Sequence, residues 1–192
     1  MNRIAVFASG SGSNFQAIID AVEAGKLDAH ICLLVCDKQE AKAIERARKH
    51  GISVFSFSPK SYSSKETFER EILQQLQDLN VDWIILAGYM RLIGTTLLTS
   101  YKGRIVNIHP SLLPSFPGKD AIGQAFAAGV KITGITIHYV DEGMDTGPII
   151  AQEAVRVTGD DTRESLQMKI QAVEHSLYVE TIRKLLQTGA RV

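Results

Sequence analysis

The apolar residues of this chain fall into short runs that are separated by longer segments of mixed character. Several of the runs are apolar throughout and do not alternate with polar residues, which is typical of parallel strands covered on both faces. Valine, isoleucine and aromatic residues are frequent in them, as expected of strands. Seven runs are predicted strands, at residues 4–9, 31–36, 54–58, 83–88, 105–109, 135–140 and 148–155.

The segments between these runs space their apolar residues at helical intervals, which indicates helices with one face on a core. Asn14 is a predicted N-cap. Ser63 with Glu66, and Asp161 with Glu164, have the spacing of a capping box. Four helices are predicted, at residues 14–25, 40–51, 63–79 and 162–189. Each of the first three lies between two predicted strands, in a segment long enough to connect parallel strands.

Strands and helices alternate along the chain, which favours βαβ crossover units. We therefore predict an α/β fold with a doubly wound, mostly parallel sheet of about seven strands and helices on both of its faces. Because no linker, repeat or low-complexity tract divides the sequence, we expect a single domain over residues 1–192.

The composition argues against several classes of partner. The 21 basic and 21 acidic residues balance, so a large electrostatic surface for nucleic acid is not expected. The N-terminal apolar run is too short and too interrupted for a secretory signal, and no apolar stretch approaches the roughly 18–20 residues of a membrane span. Cys32 and Cys36 have neither zinc-site nor CxxC spacing, so we expect reduced, buried thiols. We expect a cytoplasmic protein with no nucleic-acid or membrane partner.

The sequence SGSGSN, residues 9–14, follows the first strand and opens the first helix. Glycines at such a place let backbone N–H groups approach an anion, and the helix N-terminus adds partial positive charge. Asp37, at the end of the second strand, would suit a dinucleotide fingerprint, but Phe15 stands where that fingerprint needs its third glycine. The loop therefore favours a site for a single phosphate; a tight turn without a ligand is the alternative.

Asn107 and His109 lie two positions apart at the end of the fifth predicted strand, so both point to the same face. An amide donor beside an imidazole suits acyl transfer, which needs a donor for the developing oxyanion and a group that carries a proton near neutral pH. Pro110 then stiffens the chain. A lone strand histidine is more often structural, and it is the pair that favours function.

The sequence DEGMDTGP, residues 141–148, carries three carboxylates between two glycines. It is either a solvated acidic turn or a loop that brings one carboxylate to His109, fixing its tautomer and raising its pKa. The spacing of His109, His138 and Asp145 matches no metal motif, so we predict no metal. No serine or cysteine lies in a nucleophile elbow, which makes a covalent acyl-enzyme unexpected.

Four motifs together resemble the folate-dependent phosphoribosylglycinamide formyltransferase family: SGSGSN, AGYMRLI (87–93), NIHPSLLPSFPG (107–118) and HYVDEGMDTGPII (138–150). The resemblance covers essentially the whole chain. It implies that the formyl group of 10-formyltetrahydrofolate, a co-substrate, is transferred to the amine of glycinamide ribonucleotide in purine biosynthesis. The attack would be direct, through a tetrahedral intermediate.

The resemblance also implies roles for residues. Asn107 would hydrogen-bond the oxyanion, His109 would assist it and help move protons, and Asp145 would orient His109 and relay protons through water. The ribonucleotide site, mainly in residues 1–100, would comprise Gly12, Ser13, Asn14, Lys65 and Glu174. The folate site, mainly in residues 85–150, would comprise the backbone of Met90, Arg91, Leu92 and Ile93 together with Asp141, Glu142 and Gly143. Arg91 could instead be a plain surface arginine.

One departure and several alternatives remain. Many relatives carry a histidine in the segment after SFPG, where this chain has KDAIGQ, so Lys119 and Asp120 cannot be assumed to replace it. A formyltetrahydrofolate hydrolase would use water as acceptor, and a non-catalytic nucleotide-binding module would keep only the phosphate loop. A methionyl-tRNA formyltransferase is disfavoured by the absence of net positive charge. The oligomeric state is not set by the sequence, which leaves a homodimer open.

Overall fold

A computed structural model of the protein describes residues 1–189, and residues 190–192 of the predicted domain lie outside the described part. The strands are β1 (Asn2–Ala8), β2 (Ala29–Cys36), β3 (Val54–Ser56), β4 (Trp83–Leu86), β5 (Ile105–His109), β6 (Ile132–Tyr139) and β7 (Ile149–Arg156). The α-helices are α1 (Ser13–Glu23), α2 (Lys42–Lys49), α3 (Lys65–Asp78), α4 (Thr95–Ser100), α5 (Ala121–Ala127) and α6 (Arg163–Thr188). A 3₁₀ turn spans Pro59–Ser61.

The strands form one seven-stranded sheet in the order β3-β2-β1-β4-β5-β6-β7. Strands β1 to β5 run parallel to one another, whereas β6 is antiparallel to β5 and β7 is antiparallel to β6. The chain leaves β1 toward β2 on one side and later returns to β4 on the other. The predicted fold class is therefore confirmed, and the junction between β1 and β4 is the topological switch point where α/β sheets bind ligands.

Both faces of the sheet are buried, which explains why the strands are apolar throughout. Alternate residues of β1 enter two separate cores. Ile4, Val6 and Ala8 pack with residues of α1, α2 and α6, whereas Ala5 and Phe7 pack with residues of α3 and α4. Cys32 and Cys36 are buried free thiols whose pKa values are raised by desolvation, as expected of core cysteines. Within residues 1–189 no helix is both long enough and apolar enough to cross a membrane.

The start of α1 differs from the prediction. Its N-cap is Gly12, in the left-handed conformation with φ 71°, and Asn14 is already inside the helix. The prediction that Asn14 caps α1 is therefore wrong. The N-cap lies two residues earlier than predicted, because Gly12 can adopt the left-handed conformation there. Gly25 and Gly51 do follow their helices with positive φ angles of 67°, as expected of C-terminal stops.

The starts of α3 and α6 are each displaced by one residue from the prediction. Ser64, not Ser63, accepts the hydrogen bond from the Thr67 N–H at 3.2 Å. Thr162, not Asp161, caps α6, and it forms a reciprocal capping box with Ser165. In both places two adjacent residues can cap a helix, and the one with the extended backbone next to the first turn does so.

Helices α4 and α5 were not predicted, because each is shorter than two helical turns and shows no clear period. Their caps come from carboxylates. The buried Glu69 of α3 accepts a hydrogen bond from the Gly94 N–H at 2.7 Å and so caps α4 from a neighbouring helix. Asp120 caps α5 by accepting from the Gly123 N–H at 3.2 Å.

Candidate active site

A cavity of about 240 Å³ opens at the carboxyl ends of β1 and β4, at the topological switch point. Its floor is the glycine loop after β1, and the backbone after β4 forms the opposite wall. The lining residues are Ser9, Gly10, Ser11, Gly12, Ser13, Asn14, Lys38, Ala87, Gly88 and Met90. The predicted phosphate loop therefore faces a cavity of a size that suits a small anionic group.

Helix α2 holds the glycine loop from behind. The Ala43 N–H donates to the Gly10 carbonyl at 3.1 Å, and the Arg46 Nε–H donates to the Ser11 carbonyl at 2.8 Å. A Cβ atom at Gly12 would come within 2.9 Å of the Ala43 Cβ, in addition to the strain of its positive φ. The loop carbonyls are thus held by α2, while the N–H groups of the first turn of α1 have no acceptor within their own helix.

Asn14 and Glu174 meet beside this loop, although they are 160 residues apart. The Asn14 Nδ2 lies 3.5 Å from the Glu174 Oε2, and the Asn14 Oδ1 is buried with no hydrogen-bond partner in the described residues. Burial raises the pKa of Glu174 from 4.5 to about 7. One helical turn later, the hydroxyl of Tyr178 lies within donating distance of the carbonyls of Leu86 (2.7 Å) and Val106 (3.1 Å).

Lys65 is the first residue of α3 and is not among the residues that line the cavity. Its charge acts on Glu69, whose pKa it lowers against the larger, opposite effect of burial. The basic residue that does line the cavity is Lys38, which follows β2. Sequence reasoning missed Lys38; its position after a predicted strand that ends beside the loop was the available signal.

A second polar cluster lies at the carboxyl end of β5, two strands from β1. Asn107 and His109 face the same side, and the Asp145 Oδ2 lies 3.4 Å from the His109 Nδ1. Both partners of this pair are largely buried, with side chains 7% and 11% exposed. Asp145 has a left-handed backbone (φ 56°) and accepts a hydrogen bond from the Gly118 N–H at 2.8 Å. The acidic loop thus delivers the carboxylate that the sequence suggested, and Asp145 is that carboxylate.

The second ring nitrogen of His109 also faces an oxygen. Its Nε2 lies 2.8 Å from the Phe116 carbonyl, which can only accept, so Nε2 carries a proton in this arrangement. A neutral imidazole has a single N–H and donates to one oxygen, whereas an imidazolium donates to both. With Nε2 as the donor to Phe116, the Nδ1 of His109 is the ring nitrogen that faces the Asp145 carboxylate.

His138 is the residue of this cluster whose part sequence reasoning missed. It lies directly opposite Asn107 in the antiparallel pair of β5 and β6. Its Nδ1 donates to the Tyr139 carbonyl at 2.8 Å, so its Nε2 accepts from the Asn107 Nδ2 at 3.3 Å. Burial lowers the pKa of His138, which favours this neutral form. A histidine inside the predicted strand ITIHYV was the signal.

The comparisons with known proteins agree with this geometry. The sequence matches the family model described as formyl transferase over residues 2–182. The chain belongs to the formyl transferase family. It is 58% identical to the phosphoribosylglycinamide formyltransferase of Bacillus subtilis, over 100% of this chain and 98% of that protein. It is 40% identical to the trifunctional purine biosynthetic protein adenosine-3 of Drosophila melanogaster, over 99% of this chain and 14% of that protein.

Solved structures give the same result for the fold of this formyl transferase. The phosphoribosylglycinamide formyltransferase of Bacillus halodurans is 59% identical, with a TM-score of 0.95 over 98% of this chain and 97% of that one. The glycinamide ribonucleotide transformylase 1 of Geobacillus kaustophilus is 61% identical, with a TM-score of 0.95 over 97% of this chain and 99% of that one. The family resemblance predicted from the four motifs is confirmed, and the chain is a formyl-transferring enzyme.

In this formyl transferase, the segment predicted to contact folate is irregular backbone between β4 and α4. Met90 and Leu92 are exposed, and Ile93 is buried in the core. Arg91 is not a plain surface arginine: its Nε–H donates to the Asp37 Oδ2 at 2.9 Å, and its guanidinium lies over the Phe68 ring.

The other predicted folate residues lie in the acidic loop. Asp141 and Glu142 are exposed, and the Asp141 Oδ1 accepts hydrogen bonds from the Gly143 N–H and the Thr146 hydroxyl. These contacts hold the turn that carries Asp145.

The segment after SFPG has a structural use. Asp120 caps α5 and pairs with Arg163 at 2.6 Å, and the Lys119 carbonyl accepts from Gln124. Among residues 1–189, no three histidine, cysteine or acidic side chains are arranged to hold a metal ion.

Proposed function

We propose that this enzyme transfers the formyl group of 10-formyltetrahydrofolate to the amine of glycinamide ribonucleotide, a step of purine biosynthesis. The names of its relatives support this choice of substrates. One observation carries the proposal. The cluster of Asn107, His109 and Asp145 at the end of β5 is separated from the phosphate loop at the end of β1 by a single strand, β4.

The spacing of the two clusters suits this acceptor. Neighbouring strands are about 4.8 Å apart, so the carboxyl ends of β1 and β5 are separated by about 10 Å. A ribonucleotide with its phosphate on one end of the sugar and an amine on the other substituent spans a comparable distance. The phosphate would bind the N–H groups of Gly12, Ser13 and Asn14, and the amine would then point toward Asn107.

The contacts of Asn14 and Glu174 support a ribose site. The buried Asn14 Oδ1 offers an acceptor with no partner in the described residues, and the Glu174 carboxylate offers another when it is ionised. Sugar hydroxyls are donors that would satisfy both. Lys38 lines the cavity and would provide positive charge for the phosphate, whereas the predicted Lys65 does not line it.

In the proposed mechanism, the ribonucleotide amine attacks the formyl carbon and forms a tetrahedral intermediate. The Asn107 amide donates a hydrogen bond to the oxyanion, and His109, on the same face of β5, assists it. Collapse of the intermediate breaks the bond between carbon and the folate N10. The proton lost by the amine passes to N10, relayed by Asp145, His109 and a water molecule.

The neutral His138 has a supporting part in this mechanism. By accepting from one N–H of Asn107, it fixes the amide so that Nδ2, not Oδ1, is presented to the oxyanion. The folate would lie along residues 90–93 and residues 141–143, where exposed Met90 and Leu92 offer apolar surface to its rings. The arrangement of all seven strands in one sheet supports a single domain. No step of the proposal uses a metal ion.

A formyl-transfer assay with purified enzyme tests the proposal. Tetrahydrofolate release from 10-formyltetrahydrofolate is followed with glycinamide ribonucleotide present and with water as the sole acceptor. We expect turnover that requires the ribonucleotide and yields one formylated product per folate released. Folate release at the same rate without the ribonucleotide would identify a hydrolase and contradict the proposal.

A further inference from the structure

A hydrogen-bonded chain connects the phosphate loop to the segment proposed to bind folate. The Met90 N–H donates to the Ser9 Oγ at 2.9 Å, and the Ser9 hydroxyl donates to the Asp37 Oδ1 at 2.5 Å. The other oxygen of Asp37 accepts from the Arg91 Nε–H at 2.9 Å. The Asp37 carboxylate thus accepts from Ser9, the first residue of the glycine loop, and from Arg91, the residue after Met90.

The position of Asp37 makes these contacts costly to lose. Its side chain is 5% exposed, and Ser9 is buried as well. A buried carboxylate is stable only when its lone pairs are paired, and hydrogen bonds to a charged group are stronger than those between neutral groups. Asp37 lies at the end of β2, where a dinucleotide fingerprint would use it on a ribose; here both of its oxygens are engaged by protein groups.

The two sides of this connection are not equally dependent on Asp37. The Ser9 N–H bond to the Gly88 carbonyl supports both sides, and the phosphate loop is held in addition by the bonds of Ala43 and Arg46 to its carbonyls. The folate segment is fixed at its far end by Glu69, through the Gly94 N–H. At its near end, the hydrogen bonds that fix Met90 and Arg91 pass through Ser9 and Asp37.

We propose that Asp37 is a positioning residue for the formyl donor. It holds the backbone of Met90 and Arg91 in place, directly through Arg91 and indirectly through Ser9, without touching either substrate. This inference rests on the proposed function, since it takes residues 90–93 as the donor-binding segment. Asp37, at the end of β2, would thus affect the binding of the formyl donor to the segment that follows β4.

Steady-state kinetics of two Asp37 variants test the inference. Asp37→Ala removes both contacts, and we expect the KM for 10-formyltetrahydrofolate to rise about tenfold, the usual effect of losing a charge-assisted hydrogen bond. The kcat and the KM for the ribonucleotide should stay within about twofold. Asp37→Asn keeps an acceptor for Ser9 but loses the ion pair, so its donor KM should fall between those of wild type and Asp37→Ala.

Asp161→Ala is the matched control. Asp161 is also a shielded carboxylate with several hydrogen bonds, from Thr158, Ser165 and Lys169, but it lies before α6, where none of the proposed substrate contacts is found. It should lower the melting temperature and leave both KM values unchanged. If Asp37→Ala and Asp37→Asn bind the donor as wild type does, or if kcat and both KM values change together, Asp37 does not position the donor.

Direct binding separates this inference from the proposed function. Affinity for tetrahydrofolate, which lacks the formyl group, is measured by calorimetry for wild type and both variants. If wild type transfers formyl groups and both variants bind tetrahydrofolate as tightly as wild type does, the inference is overturned and the proposed function stands. Wild type that binds tetrahydrofolate without transferring formyl groups would overturn the function, and weaker folate binding by Asp37→Ala would still support the positioning role.

Discussion

Glu174 has a raised pKa that lies near neutrality, and the change Glu174→Gln tests how that pKa affects stability. The side chain lies beside the phosphate loop, and among residues 1–189 its charge is compensated only by a long contact to Asn14. Burial raises its pKa from 4.5 to about 7. At about 1.4 kcal/mol per pKa unit, this difference corresponds to roughly 3 kcal/mol of folding free energy. Glutamine keeps the size of the side chain and removes the titration.

The sign follows from which state holds the proton more tightly. The folded protein does, so protonated Glu174 favours folding fully below about pH 4.5, and this contribution is lost as the pH rises through about 7. Urea unfolding of wild type and Glu174→Gln at pH 5, 6, 7 and 8 measures it. Between pH 5 and pH 8, wild type should lose roughly 2–3 kcal/mol relative to the variant, and the difference should level off above pH 8.

A control variant and one contradicting outcome complete this test of the Glu174 pKa. Glu164→Gln, on the exposed first turn of the same helix, is the matched control, and its stability difference from wild type should not grow over this range. A difference between wild type and Glu174→Gln that stays flat from pH 5 to pH 8 would refute the assignment of a raised pKa to Glu174.

Changes at four further residues address the site directly. His109→Ala and Asp145→Asn should each lower kcat by about 10²–10⁴, since each removes an acid–base or electrostatic group, and should change the ribonucleotide KM much less. The control His30→Ala, at an exposed position, should match wild type. Near-normal turnover of His109→Ala would contradict the mechanism. His138→Phe should lower kcat by at least tenfold with both KM values little changed, and His138→Gln, which keeps an acceptor, should recover part of it; equal kcat values would show that His138 does not orient the amide. Gly12→Ala should raise the ribonucleotide KM and cost about 1–3 kcal/mol in urea unfolding, because of its positive φ and its close approach to α2.

The sheet and the main helices were predictable because their signals are local. Fully apolar runs such as those of β1 and β2 indicated burial on both faces, and the alternation of strands with amphipathic segments indicated crossovers. The same locality explains why Asn107 and His109 could be paired: residues two apart on a strand share a face whatever the rest of the fold does.

What could not be predicted depends on contacts between distant segments or on small differences in backbone conformation. The sequence indicated that a carboxylate could reach His109, but the choice of Asp145 depends on its left-handed backbone and on the Gly118 N–H. The pairing of His138 with Asn107 needs the register of β5 and β6, which no local pattern encodes. The choice of Ser64 over Ser63 as a cap depends on a single residue's backbone conformation.

Glu174 and Tyr178 lie four residues apart on α6, so one helical turn separates the side chain beside the phosphate loop from the hydroxyl that contacts the carbonyls of Leu86 and Val106. The contacts of Tyr178 with β4 and β5 therefore fix the position of Glu174 along and around α6. Each residue added between Glu174 and Tyr178 would rotate Glu174 by about 100° and move it by about 1.5 Å. Insertions and deletions in this family should consequently be selected against in the turn between Glu174 and Tyr178.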